Sequence, residues 1–447
     1  MVPRMQRIFV LLLLSIGCPA QAAADPFGDL ATAEFRVNTW IPNDQRIPAV
    51  ASDEDGDVVI VWQSLNQKET GWGVFGQRID SDGTPTGQEF AVTPLSQGSQ
   101  DGPHVAMQND GRFVVAWNGA TGPNEALQIR ARRFSAKAEP KETIVLVSEP
   151  ARDMQILPRV ALAPDDSMAI SWSGRNVTGS GFNILTRVIG SNDAYLSRPL
   201  QANVFDKTAQ RSSDTALVSR DTRVVVWQSA LQDGSDWGIF ARCLPFSTGD
   251  GEDEFQVNQT TSGAQARPRV AAGIHGGFGI VWQDDMGLGS FEYRRVMVRL
   301  YDAQCQPITD ELQVNQSDAG IQDLPAIASD GHGIYVIVWQ SFPPNFSLQG
   351  IYGRRLSGNG LFLGDEFRIN QEIEAYQDHP AVAGLPDGGF VTAWEDLRPG
   401  GSGFDIFARR FYGPATAQTP LPVPAGQAGA WLVLVLFLWL TGFVQKL

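Results

Sequence analysis

The sequence predicts an all-β fold: a seven-bladed β-propeller with four-stranded blades, closed by its N-terminal strand and followed by a C-terminal transmembrane helix. Three observations predict it. Seven tryptophans, Trp62, Trp117, Trp172, Trp227, Trp282, Trp339 and Trp394, end seven short apolar runs at spacings of 55, 55, 55, 55, 57 and 55 residues. Each interval holds four strand-like segments. One such segment also precedes the first full unit, and the last unit lacks it. A fixed period of this length means one supersecondary unit copied until neighbouring copies bury each other's apolar faces.

Taken in chain order, residues 1–24 read as a secretory signal: Arg4 and Arg7, an apolar core from Ile8 to Ile16, then Ala20-Gln21-Ala22. Cys18 weakly resembles the acylated cysteine of a lipoprotein cleavage box, but Ser15 stands where that box carries a branched apolar residue. Residues 25–413 form the propeller. Its first segment, Glu34 to Asn38, is echoed at Glu89, Glu254, Glu311 and Glu366, with degenerate copies at Ile144 to Ser148 and Pro199 to Asn203. Its apolar and polar residues alternate, as in a half-buried strand.

The second segment is Gln-x-x-Pro-x-Val-Ala, starting at Gln45, Gln100, Gln155, Gln265, Gln322 and Gln377; the fourth copy, from Gln210, has Ser213 for Pro. Proline at a strand start and a small alanine suit the crowded axis, so this segment is the innermost strand. Its glutamine is expected to satisfy backbone groups where the chain steps between blades. The third segment is the Trp-terminated run, introduced by turns such as Asp55-Gly56 and Asp110-Gly111. The fourth carries an arginine in six copies, Arg132, Arg187, Arg242, Arg299, Arg354 and Arg409, with Gln77 in the first. This arginine is expected to pair with the recurrent Glu of the neighbouring strand rather than form a ligand ring. Glu34 to Asn38 should complete the blade built by residues 377–411 and remove a free edge.

Residues 414–427 are a Pro-rich linker, and 428–447 are an apolar tail of nearly bilayer-spanning length closed by Lys446. This tail resembles the C-terminal sorting tails of exported Gram-negative proteins, without their Pro-Glu-Pro triplet. The repeats resemble a family of bacterial exported repeats of the form Glu-Phe-x-Val-Asn, Gln-x-x-Pro-x-Val-Ala, Gly-Gly-Phe-Val-Val-x-Trp and Ile-Phe-x-Arg-Arg-Phe over residues 34–411. The resemblance implies a propeller on a surface or secreted protein, without an assigned biochemistry.

With Arg4, Arg7 and Lys446 set aside, 31 basic residues face 49 acidic ones, a net charge of about −18. That disfavours nucleic acid and anionic membrane surfaces as partners. Contact with a membrane is expected through the C-terminal helix only, and the chain reads as a monomer. Cys243 and Cys305 remain after signal cleavage, in an oxidising compartment where they can bridge. Their different settings, a strand and a turn in consecutive repeats, favour two separate thiols.

Candidate binding residues are the aromatics about ten positions after the repeat tryptophans: Trp72, Phe182, Trp237 and Phe404, with Tyr293 nearby in the longer repeat. Flat rings around a rim can stack on sugars, or pack between blades. Asp53, Asp55 and Asp57 space carboxylates closely enough for calcium, although equivalent turns lack the set and a solvated turn is the default. No other cofactor or metal is expected. No catalytic group stands out: His275 and His332 occupy equivalent turns, while His104 and His379 flank the repeat prolines near the axis. The sequence favours a non-enzymatic module at the cell envelope that binds a glycan or protein. The alternative is a polysaccharide-degrading lyase or hydrolase on the same scaffold. An enzyme should converge ionisable side chains on the channel mouth; a binding module should place aromatics and amides there.

Overall fold

The computed structural model describes residues 31–413, apart from 68–70, 95–97, 121–124, 150–153, 176–180, 247–250, 252, 275, 287–292 and 344–348. The signal segment with Cys18, His275, the linker and the predicted transmembrane tail lie outside the described residues. Among the described residues no helix is long and apolar enough to cross a membrane.

Seven four-stranded antiparallel sheets form the blades, and blades one to six run outward in chain order. Blade one, for example, comprises Gln45–Ser52, Val58–Leu65, Trp72–Ile79 and Pro85–Ala91. Blade seven is built from Tyr376–Gly384, Phe390–Leu397 and Asp405–Phe411, and its outer strand is Phe35–Arg36 from the N-terminus. The register pairs Phe35 with Ala408 and Arg36 with Phe407. This is the closure that the unpaired first repeat predicts.

The repeat tryptophans are the largest side chains in the core, each at most 1% exposed. Each packs across a blade boundary: Trp62 shares a cluster with Val391, Ala393 and Ile406 of blade seven, and Trp172 with Ala116 and Ile129 of blade two. Their indole N–H groups explain part of the invariant glutamine. Trp117, Trp172 and Trp339 donate to the Oε1 of Gln100, Gln155 and Gln322 at 2.8, 2.7 and 3.0 Å. Two of these amides also donate to backbone carbonyls, Gln100 to Ala120 and Gln322 to Ala319, and Gln45 and Gln265 donate likewise to Pro42, Asn43 and Ser262 at the blade step. A buried indole and a buried carbonyl are thereby satisfied by one residue.

The recurrent arginine takes a different partner from the expected glutamate. In all six copies one guanidinium nitrogen donates to the carbonyl of the residue that follows the outer strand of the preceding blade, from Arg132 to Val92 at 3.2 Å through Arg409 to Ile369 at 2.8 Å. The outer strand is only two ladder residues long in most blades, so the carbonyl just beyond it is left for the next blade to bind. The glutamates instead accept backbone N–H groups of the preceding blade: Glu89 from Thr39, Glu254 from Val204, Glu311 from Gln259, Glu366 from Gln316 and Glu34 from Gln371. Both residues tie blade to blade, through backbone rather than through each other.

Cys243 and Cys305 form a disulfide, with Cα atoms 6.7 Å apart. This overturns the expectation of separate thiols. Cys243 lies on the third strand of blade four and Cys305 in the turn after the third strand of blade five, and adjacent blades bring these places together.

Candidate functional site

In every blade the residue two positions after the repeat glutamine has a positive φ: Ile47, Gly102, Leu157, Ser212, Arg267, Leu324 and His379, between 47° and 62°. The ladder slips at the same place, as between Arg46 and Ala49 or Asp378 and Ala381. Such a conformation costs about 1–3 kcal/mol for a non-glycine residue. It is offset by a hydrogen bond from the strained N–H to the residue after the preceding blade's tryptophan: Ile47 to Glu395, Gly102 to Gln63, Leu157 to Asn118, Arg267 to Gln228 and His379 to Gln340. The bulge aims the next side chains at the axis. There the inner strands of all seven blades enclose a cavity of about 180 Å³.

One wall of this cavity is apolar, with Ala49, Ala326 and Ala381 at the position after the repeat proline. The corresponding positions of blades two to five carry His104, Arg159, Asp214 and Arg269, and Arg267 adds a third guanidinium from the bulge of blade five. The Asp214 carboxylate is held by N–H groups of Thr215 and Val270 at 2.9 and 3.0 Å and lies 3.9 Å from the Arg159 Nε. Burial lowers the Arg269 pKa to about 9, with a further push from neighbouring Arg159, yet the group stays charged at neutral pH. His104 is held neutral by burial and by Arg159 and Arg269. Its Nδ1 accepts the Val160 N–H at 3.2 Å, so the ring proton sits on Nε2.

A second group lies at the seam where the ring closes. His379 Nδ1 is 3.1 Å from Asp378 Oδ1 and 3.3 Å from Glu395 Oε1, and Arg46 reaches Glu395 at 3.3 Å while stacking on Phe404 at 3.9 Å. Burial opposes charge on His379, but the two carboxylates win and raise its pKa to about 10. Glu395 is fully buried where the other blades carry Gln63, Asn118, Ser173, Gln228, Gln283 and Gln340. Asp378, His379 and Glu395 bring three potential metal-ligand atoms within 4.8 Å. Two carboxylates are nevertheless balanced by Arg46 and a protonated His379, so the group is a closed ion-pair network rather than an open cation site.

The aromatic candidates lie apart from this cavity. Trp72, Phe182 and Trp237 begin the third strands of their blades, opposite Leu65, Arg175 and Ala230, and Phe404 immediately precedes one. Arg211 of blade four covers Phe182 at 4.7 Å. Tyr293 is 38% exposed on the rim. No Phe, Tyr or Trp lines the cavity among the described residues. Asp53 caps its own turn, accepting the N–H groups of Asp55 and Asp57, and Asp57 pairs with Arg78 at 3.4 Å. Of the histidines placed near the axis, both His104 and His379 reach the cavity. The arginines and Asp214 are not among the sequence candidates, because they occupy a variable position inside a strong motif. The signal lies in the run: blades six, seven and one carry alanine there, and blades two to five consecutively carry the ionisable residues His104, Arg159, Asp214 and Arg269.

No family model matches the chain, and no curated protein sequence matches it. Solved structures do. A protein of unknown function from Dyadobacter fermentans aligns at TM-score 0.51 and 10% identity, over 86% of this chain and 99% of that one. An α-L-arabinofuranosidase of Fusarium graminearum, in complex with an iminosugar inhibitor, aligns at TM-score 0.51 and 10% identity over 86% and 98%. A polysaccharide lyase acting on ulvan aligns more loosely, at TM-score 0.49 and 10% identity over 87% and 100%. At these identities the likeness is one of fold, and it rests on the two structures at TM-score 0.51.

Proposed function

We propose that this propeller is a polysaccharide-degrading enzyme whose active site is the mouth of its central channel. The observation that carries the reading is the convergence of His104, Arg159, Asp214, Arg267, Arg269 and His379 on one cavity that, among the described residues, no Phe, Tyr or Trp lines. A binding module would place aromatics and amides there instead. The cavity supplies the parts glycosidic cleavage needs: a proton carried by His379 and held by two carboxylates, a fixed carboxylate at Asp214, and guanidinium groups that stabilise developing negative charge. An arabinofuranosidase with this fold supports the scaffold's fitness for such chemistry. The Cys243–Cys305 bridge supports action outside the cytoplasm, where disulfides persist, with the apolar tail holding the protein at the envelope.

Incubating the full chain with a panel of plant, algal and bacterial polysaccharides tests this reading. New reducing ends indicate hydrolysis, and unsaturated ends that absorb ultraviolet light indicate elimination. The expected result is product from one class of glycan and about a hundredfold or greater loss in Asp214→Asn. Retention of glycans on an array without turnover of any of them would return the protein to the class of binding modules.

A further inference from the structure

The charge in the cavity is unbalanced. Among the described residues three guanidinium groups, on Arg159, Arg267 and Arg269, line the cavity with one carboxylate, Asp214, whose oxygens already accept two backbone N–H groups. Arg159 and Arg269 each donate to the carbonyl of their own preceding proline, at 2.9 and 2.8 Å, which fixes the guanidinium planes at the cavity wall. They lie near enough for each to depress the other's neighbour His104 and for Arg159 to depress Arg269. Clustered like charges in a partly desolvated channel carry an electrostatic cost that an anion relieves. The whole chain carries a net charge of −15, so this cationic wall is a local exception to the protein's field.

The opposite wall is made of Ile47, Pro48, Ala49, Leu324, Ala326 and Ala381, which offer no charge and a smooth apolar face. At about 180 Å³ the cavity is smaller than the roughly 300 Å³ at which drug-sized ligand sites begin, and suits one small ring.

From this juxtaposition we infer that the channel binds a single sugar residue bearing an anionic substituent, its carboxylate or sulfate on Arg159 and Arg269 and its ring against the alanine wall. The substrate class is therefore an acidic polysaccharide, presented to the cavity by one residue at a time. The inference deepens the proposed function and rests on the same cavity. Planar bidentate recognition by arginine suits both a uronate carboxylate and a sulfate ester.

Titration calorimetry on the full chain separates the outcomes. Glucuronate and galacturonate form one arm, a sulfated hexose the second, and glucose with galactose the neutral arm. Binding is expected in an acidic arm and not in the neutral one, and to weaken as salt is added. Whichever acidic arm binds identifies the substituent. Arg159→Ala and Arg269→Ala should each weaken binding at least about tenfold, the loss expected for a charged hydrogen bond. Alanine is native at this position in blades one, six and seven, so these variants keep a residue the strand accepts; their unfolding transitions confirm the fold. Equal binding of acidic and neutral sugars, or undiminished binding by a folded Arg159→Ala/Arg269→Ala double variant, would overturn the inference. Binding of acidic sugars without cleavage of any polymer would leave it standing and remove the enzymatic reading; cleavage confined to neutral glycans would do the reverse.

Discussion

Glu395 shows how one residue changes the meaning of a repeat. Its side chain accepts the strained Ile47 N–H, the task of an amide elsewhere in the ring, and its charge additionally holds His379 and Arg46. Glu395→Gln should therefore keep the fold and the Ile47 hydrogen bond while taking the buried carboxylate away from two cations, leaving His379 with Asp378 and Arg46 with Asp44. Breaking a buried pair costs about 3–5 kcal/mol; because His379 and Arg46 are 35% and 31% exposed, screening reduces this to about 1–3 kcal/mol. The sign with pH follows from the raised pKa of His379. Stability from its charged form is complete below its unfolded value near 6.5 and is lost as pH rises through about 10. Urea unfolding of both proteins at pH 6, 8 and 10 should show the gap narrowing with pH. A gap that widens would place the proton elsewhere. Among apolar residues, Trp172→Ala should cost about 3–5 kcal/mol, since its indole fills the boundary with blade two and satisfies Gln155. Urea unfolding reads that loss directly.

The blades were legible because their apolar runs, turn residues and tryptophans recur at one spacing, and the strand order follows from that spacing alone. The short outer strand illustrates the limit. Glu-Phe-x-Val-Asn marks its place, and its asparagine proves to accept a backbone N–H of the adjoining strand, as Asn38 does from Ile406 and Asn258 from Ile239. Its partner across the blade boundary depends on the angle between sheets, which no spacing encodes, and so the sequence points the arginine to a glutamate where the structure gives it a carbonyl. The bulge was hidden for a related reason. Leucine and isoleucine at Leu157, Leu324 and Ile47 give no sign of a left-handed backbone; only Gly102 hints at it, and a Cβ there would lie 2.6 Å from the Asn118 side chain. The disulfide likewise joins residues 62 positions apart on elements that meet only in the closed ring. Its reduction should lower stability by about 2–4 kcal/mol, visible as a fall in Tm with reductant that a Cys243→Ala/Cys305→Ala variant does not show.

At the scale of the molecule, sevenfold repetition builds a ring and departures from repetition build a site. The seam between blades seven and one has no clamping arginine at Gln77; it is held instead by the N-terminal strand, by Arg410 on the Gly56 carbonyl at 2.9 Å and by the Arg46 network. Removing residues 31–40 should expose the edge of Asp405–Phe411 and abolish a single cooperative unfolding transition, as thermal denaturation would record. Across the ring from the alanine wall, four consecutive blades turn the same strand position to His104, Arg159, Asp214 and Arg269, and this asymmetry is the feature that function must explain. Product analysis by mass spectrometry, comparing wild type with Arg159→Ala/Arg269→Ala on acidic and neutral polysaccharides, tests that claim most directly. The account predicts fragments from an acidic polymer with wild type and almost none with the variant. Equal cleavage by both proteins, or no fragments from any polymer, would contradict it.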